Sequence, residues 1–151
     1  MHSMRTIVSG ATVCLVVLGL SFYNNVSAAA GSSKLERGKY LVEQVGMCGD
    51  CHTPHNEKGE PIQEKTLQGT ILPFKPAVPM PVWADKSSNI AGLPGWEDKD
   101  AMRFLMTGIA YNDLPARPPM PQYRFNQEDA AAIMAYLRSL APAQAAGHPR
   151  K

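Results

Sequence analysis

Cys48-Gly49-Asp50-Cys51-His52 gathers the reactive side chains of this 151-residue chain into one short run. Residues at i, i+3 and i+4 share one face of a helix, so the two thiols and the imidazole project together while Gly49 and Asp50 point elsewhere. That arrangement fits covalent haem attachment: two thiols add to the two vinyl groups of a porphyrin, and the adjacent imidazole reaches its iron. A glycine inside the motif lets a flat ring approach the backbone. A single motif implies a single haem c. Two other chemistries use the same residue types. A thioredoxin-like redox pair places its C-x-x-C at a strand-to-helix junction in a βαβ unit, and no stretch of this chain alternates as a strand does. A zinc site built from Cys48, Cys51, His52 and His55 would draw every ligand from one short continuous stretch, which wraps a tetrahedral ion poorly.

An iron held by His52 needs a sixth ligand or an open position. A methionine opposite the histidine raises the potential and suits an electron carrier. Beyond residue 30 the methionines are Met47, Met80, Met102, Met106, Met120 and Met134. Met47 directly precedes Cys48 and sits too close to swing across a ring. Met102, Met106 and Met134 fall in helical windows, where a methionine is ordinarily core. Met80 and Met120 each lie between prolines, in Pro79-Met80-Pro81 and Pro118-Pro119-Met120-Pro121. Flanking prolines stiffen the backbone and limit the entropy lost on ligation. On residue chemistry alone, both remain candidates.

The elements that position these groups are delimited by proline. The chain holds 13 prolines, above the usual ~5% of residues. They leave three proline-free windows beyond residue 30: 31–53, 95–114 and 122–141. Proline inside a helix costs about 3 kcal/mol, so helices belong in those windows. The first opens on a capping box, Ser33-x-x-Glu36, and carries Leu35, Leu41, Val42 and Val45 at helical spacing. The second begins with Glu97, Asp98 and Asp100, which suit the positive end of a helix dipole, and Gly108 is placed to end it. In the third, Asn126 can cap, and Ile133, Tyr136, Leu137 and Leu140 form one apolar face. The stretch 54–94 carries seven prolines. So long an irregular loop is uncommon in a compact domain, and it is consistent with a loop that wraps something other than protein.

Residues 1–30 read as a secretory signal peptide: Arg5, an apolar run from Ile7 to Leu20, then Ala28-Ala29-Ala30 before Gly31. The run is short for a membrane span, which takes about 20 residues. The alternative is an uncleaved anchor, the one route by which this chain would meet a membrane. Cleavage takes the formal charge from +2 to +1, because Arg5 is the only charged residue removed. Such a balance excludes nucleic acid as a partner. Cleavage also removes Cys14, leaving Cys48 and Cys51. The resulting plan is one domain over residues 31–142 and a C-terminal tail over 143–151.

Cys48 to His52 is followed by Thr53-Pro54. Later come Arg117-Pro118-Pro119-Met120-Pro121 with Tyr123, then Asp129 and Ala135-Tyr136-Leu137-Arg138-Ser139-Leu140. Together they resemble class I cytochrome c, in particular the small monohaem domains that accept electrons from periplasmic dehydrogenases. Asn89-Ile90 and Gly95-Trp96 are similar to that group as well, and the resemblance covers about residues 35–140. It implies an all-α, cytochrome c-like fold with about three main helices, the first crossing the last, and long Pro-rich loops around the haem. It implies Met120, which stands a few residues before the last helix, as the sixth ligand, and not Met80. The family usually carries a Gly-Pro pair whose proline carbonyl receives the N–H of the axial histidine. Here Glu60-Pro61 and Leu72-Pro73 stand instead, and no carbonyl is assigned. Trp83, Trp96, Tyr111 and Tyr123 read as pocket wall, with a tyrosine or tryptophan able to reach a haem propionate, and Arg117 reads as solvated. The implied function is periplasmic one-electron transfer with His52/Met120 ligation, from a dehydrogenase to an oxidase or another cytochrome. The alternative is a haem enzyme or gas sensor with a labile sixth ligand.

Overall fold

A computed structural model describes residues 31 and 33–140. The expected signal peptide over 1–30 and the tail over 143–151 lie outside the described residues. The chain divides into two compact units, Met1–Ser33 and Lys34–Lys151, and the architecture below is that of the second. Helix α1 is helical from residue 33 and widens into a π turn over Leu41–Val45. Helix α2 is the short Cys48–His52, α3 spans Asp98–Thr107 and α4 spans Gln127–Ser139. Among the described residues there is no strand, only isolated bridges at His55–Pro61, Ile71–Lys86 and Ile109–Pro115. The all-α fold is therefore the one the resemblance implied.

Each proline-free window holds its helix, with two differences. Ser33 is already helical, so it is not the residue ahead of the helix that the capping box requires. The first window also holds two helices instead of one. Met47 adopts a left-handed backbone, with φ 45 and ψ 42, and breaks the path so that α2 starts afresh at Cys48. The later signals act as expected. Asp98 and Asp100 occupy the first turn of α3, and Gly108, at φ 73, ends it by returning its N–H to the carbonyl of Phe104. The Asn126 side chain caps α4 by accepting the Asp129 N–H at 2.8 Å.

The core forms where α1 crosses α4. A Cβ at Gly38 would lie 2.0 Å from the Ala132 carbonyl oxygen, so the two backbones meet where no larger residue fits. Leu41 and Val42 of α1 bury against Ala132, Ile133, Met134 and Leu137 of α4, with Ala101 of α3 and the loop residues Leu67 and Leu93 completing the cluster. Each fully buried Val, Leu or Ile contributes about 1.5–3 kcal/mol. Arg37–Asp129 and the Tyr136 hydroxyl on Glu43 bracket the crossing.

The Pro-rich stretch is fastened to this core by polar contacts. Thr53 Oγ1 accepts the Leu67 N–H at 3.0 Å, and the Leu67 carbonyl accepts the N–H groups of Ile90 and Ala91. From α4, Arg138 donates to the carbonyls of Gly92, Leu93 and Trp96 and to Asp98. Gly92 N–H returns to the Leu137 carbonyl at 2.8 Å. The loop is irregular, yet many of its backbone groups are paired, as a partly buried backbone requires.

The crossing gives a test. Gly38→Ala should lower stability by at least about 2 kcal/mol, because the added carbon must push two helix backbones apart. Asn126→Ala, which removes only a cap, should cost about 1 kcal/mol. Denaturant unfolding of both variants checks the order.

Candidate cofactor site

Helix α2 presents the chemistry. Its five residues follow a turn in which Asp50 N–H meets the Met47 carbonyl, and Thr53 N–H closes it on Gly49 at 2.9 Å. Cys48 and Cys51 are half-buried and His52 is buried, all three within α2. The cysteines are free thiols and are not joined to each other. Burial pushes the Cys48 thiol up to about 11 and raises that of Cys51 as well. Redox-pair cysteines need the opposite shift, toward a ready thiolate. Nor do Cys48, Cys51, His52 and His55 assemble as a zinc set: among the described residues no three His, Cys, Asp or Glu gather to hold a metal ion.

His52 is oriented by a residue that the sequence did not reveal. Its Nδ1 lies 2.7 Å from the carbonyl oxygen of Ser88, 36 residues further on. A carbonyl only accepts, so Nδ1 carries the proton. Burial lowers the His52 pKa, and the Ser88 bond offsets this in part. The ring is thus neutral near pH 7, with Nε2 left as a bare lone pair. That is the state in which an imidazole binds a metal, fixed from behind by an outer hydrogen bond.

The Ser88 carbonyl is held in turn by Gly69. This glycine has φ 83, and a Cβ there would come within 2.7–2.8 Å of the Ser87–Asn89 backbone. Its N–H donates to the His52 carbonyl at 2.7 Å. Thr70 and Ser87 pair beside it, backbone to side chain and backbone to backbone at 2.9 Å each. The loop carbonyl that the sequence left unassigned therefore belongs to neither Glu60-Pro61 nor Leu72-Pro73. The available signal was Gly69, a glycine between Gln68 and Thr70 in the Pro-rich stretch.

Met120 is half-buried, in a turn where its N–H meets the Arg117 carbonyl at 3.1 Å. Two bonds fasten that segment: Ala84 N–H to the Pro118 carbonyl at 2.8 Å, and the Tyr123 hydroxyl to the Gly46 carbonyl at 2.7 Å. The second ties it to the turn leading into Cys48. Met80 is exposed, as is Met47. Met134 lies in the core, and Met102 packs against it. Arg117 is exposed, as read from the sequence.

The surrounding donors fit a porphyrin. Trp83 packs edge-on against Phe74 at 6.0 Å, and its Nε1 is the one buried side-chain nitrogen or oxygen among the described residues without a hydrogen-bond partner. A buried indole N–H needs an acceptor, and a haem propionate is one. Two thiols and a neutral imidazole with a free Nε2, adjacent on one short helix, fit covalent haem attachment.

Comparison with known proteins agrees. The family described as Cytochrome c matches residues 35–141. The chain is 34% identical over 119 residues to the fructose dehydrogenase cytochrome subunit of Gluconobacter japonicus, covering 72% of this chain and 22% of that protein. It is 32% identical over 125 residues to the gluconate 2-dehydrogenase cytochrome c subunit of Pantoea cypripedii, covering 75% and 27%. It is 33% identical over 109 residues to a diheme cytochrome c-type protein of Cereibacter sphaeroides, covering 68% and 34%. The chain thus spans about a quarter to a third of the length of these relatives. With the family matched across nearly all of the described helical unit, the chain belongs to the cytochrome c family, whose members carry covalent haem c.

Proposed function

We propose that this domain is a one-electron carrier that holds one haem c through Cys48 and Cys51, with His52 and Met120 as axial ligands. The observation that carries the reading is the His52–Ser88 bond, which fixes the tautomer and turns Nε2 into a ligand. The haem, when bound, supplies the redox chemistry. The chain's residues bind it, orient it and keep water from it. Cys48 and Cys51 would anchor it, His52 would offer a preset donor, Met120 would supply the second iron ligand, and Trp83 Nε1 would bond a propionate. With both axial positions filled, little moves between oxidation states and no position is open to substrate, so the domain passes electrons and is not itself the catalytic enzyme.

The likeness to fructose and gluconate dehydrogenase cytochrome subunits supports a dehydrogenase of sugars or related compounds as donor. The acceptor is an oxidase or another cytochrome. Residues 1–30 support export to the periplasm as a signal peptide.

Two outcomes test the ligand set. The purified protein should be six-coordinate and low-spin, with an iron–sulfur charge-transfer band that Met120→Ala abolishes and Met80→Ala preserves. A high-spin protein that binds carbon monoxide readily would replace this reading with a haem enzyme or gas sensor. Gly69→Ala should raise the reduction potential. It pushes the Ser88 carbonyl back, weakens the bond that enriches the imidazole in electrons, and so stabilises the oxidised state less. Potentiometric titration of the two proteins decides it.

A further inference from the structure

We propose that Tyr123 is the positioning residue for the sixth ligand: its hydroxyl, bound to the Gly46 carbonyl, locks the Met120 turn onto the turn that carries Cys48. This rests on Met120 being that ligand. The bond is 2.7 Å long and joins residues 77 apart in sequence. One of its ends lies two residues before Cys48 and the other three residues after Met120, with Pro121 stiffening the short path between.

The surroundings are shaped for this contact. A Cβ at Gly46 would crowd the Leu41 carbonyl at 3.1 Å and Cys48 Sγ at 3.2 Å, so the turn that carries the acceptor of the Tyr123 hydroxyl is tightly packed. The Tyr123 ring stacks on Phe125 at 5.0 Å and an interplanar angle of 21°. Phe125 packs against the core, and its N–H meets the Leu105 carbonyl of α3 at 3.2 Å. Gly108 admits the same segment from below, since a Cβ there would strike the Gln122 and Arg124 side chains at 2.8 Å. Tyr123 therefore has a fixed ring and a fixed acceptor. With the Ala84–Pro118 bond on the other flank, the methionine lies in a span pinned at both ends. Removing the hydroxyl frees one end without disturbing the packed ring.

The test uses the haem-loaded protein and Tyr123→Phe, which keeps the ring and its stacking. Carbon monoxide should bind the reduced variant roughly fivefold faster than the wild type, the factor that follows from losing one net hydrogen bond. On heating, the charge-transfer band should vanish before the far-ultraviolet circular dichroism changes. Tyr136→Phe serves as control. It removes the hydroxyl bond to Glu43 at the α1–α4 crossing, and should lower the melting temperature while leaving the carbon monoxide rate at the wild-type value. A wild-type rate in Tyr123→Phe, or equal rate changes in the two variants, overturns the positioning role. Met120→Ala separates the two layers. If the band survives it, the ligand reading fails and this inference with it. If the band is lost but Tyr123→Phe behaves as wild type, only the inference fails.

Discussion

A buried imidazole can present a lone pair on one nitrogen only if the other nitrogen has somewhere to put its proton. In this domain that acceptor is the Ser88 carbonyl, 2.7 Å from His52 Nδ1, and much of the loop architecture serves to deliver it. The carbonyl belongs to a segment far from α2 in sequence, so it has to be brought back and held. Gly69 allows the approach by lacking a Cβ and accepting φ 83. Thr53, next to His52, catches Leu67, and Leu67 catches Ile90 and Ala91. Each of these bonds is worth only about 1 kcal/mol net. Together they turn a proline-rich stretch into a second wall facing α2.

The wall needs a foundation, and α4 is that foundation. Arg138 binds three loop carbonyls and Asp98 at once, so the planar guanidinium does for the loop what a strand ladder does in a sheet. Helix α4 can serve this way because it is fixed against α1 at Gly38, where the backbones touch. The order of dependence runs from that crossing to Arg138, to the 87–96 loop, to the Ser88 carbonyl and to His52. With no strand among the described residues, the fold holds the His52 partner through such a chain because each step is a short contact to a fixed backbone group.

What the sequence made legible follows from the range of the interactions. The motif on α2, the helix windows, the Asn126 cap and the Gly108 stop are local: spacing and residue type decide them within a turn or two. The break at Met47 was not legible, because nothing in Val45-Gly46-Met47 demands a left-handed methionine. Ser33 misled for a related reason, since its capping box describes a helix start that the structure extends past. The partner of His52 was the largest omission. Backbone carbonyls have no residue type to read, and this one lies 36 residues away. A family expectation built on Gly-Pro could not find it, whereas the positive φ of Gly69 marks the place where the chain folds back.

On the proposed reading, the two axial ligands are held by different means, and the difference sets which one yields first. His52 sits one residue from Cys51 and four from Cys48 in the same short helix, so covalent attachment keeps it near the haem whatever the loops do. Met120 has no such tether. Its place depends on prolines on either side, on the Ala84–Pro118 bond and on Tyr123 reaching Gly46. A thioether is also the softer and weaker donor of the two. The methionine side is therefore where thermal opening begins, and the helices, whose core lies at the α1–α4 crossing, need not unfold for it to occur. Local opening at a cost below that of global unfolding is the usual behaviour of a loop with few buried apolar contacts. Stability of the fold and retention of the sixth ligand are thus separate properties of this chain, held by separate sets of residues.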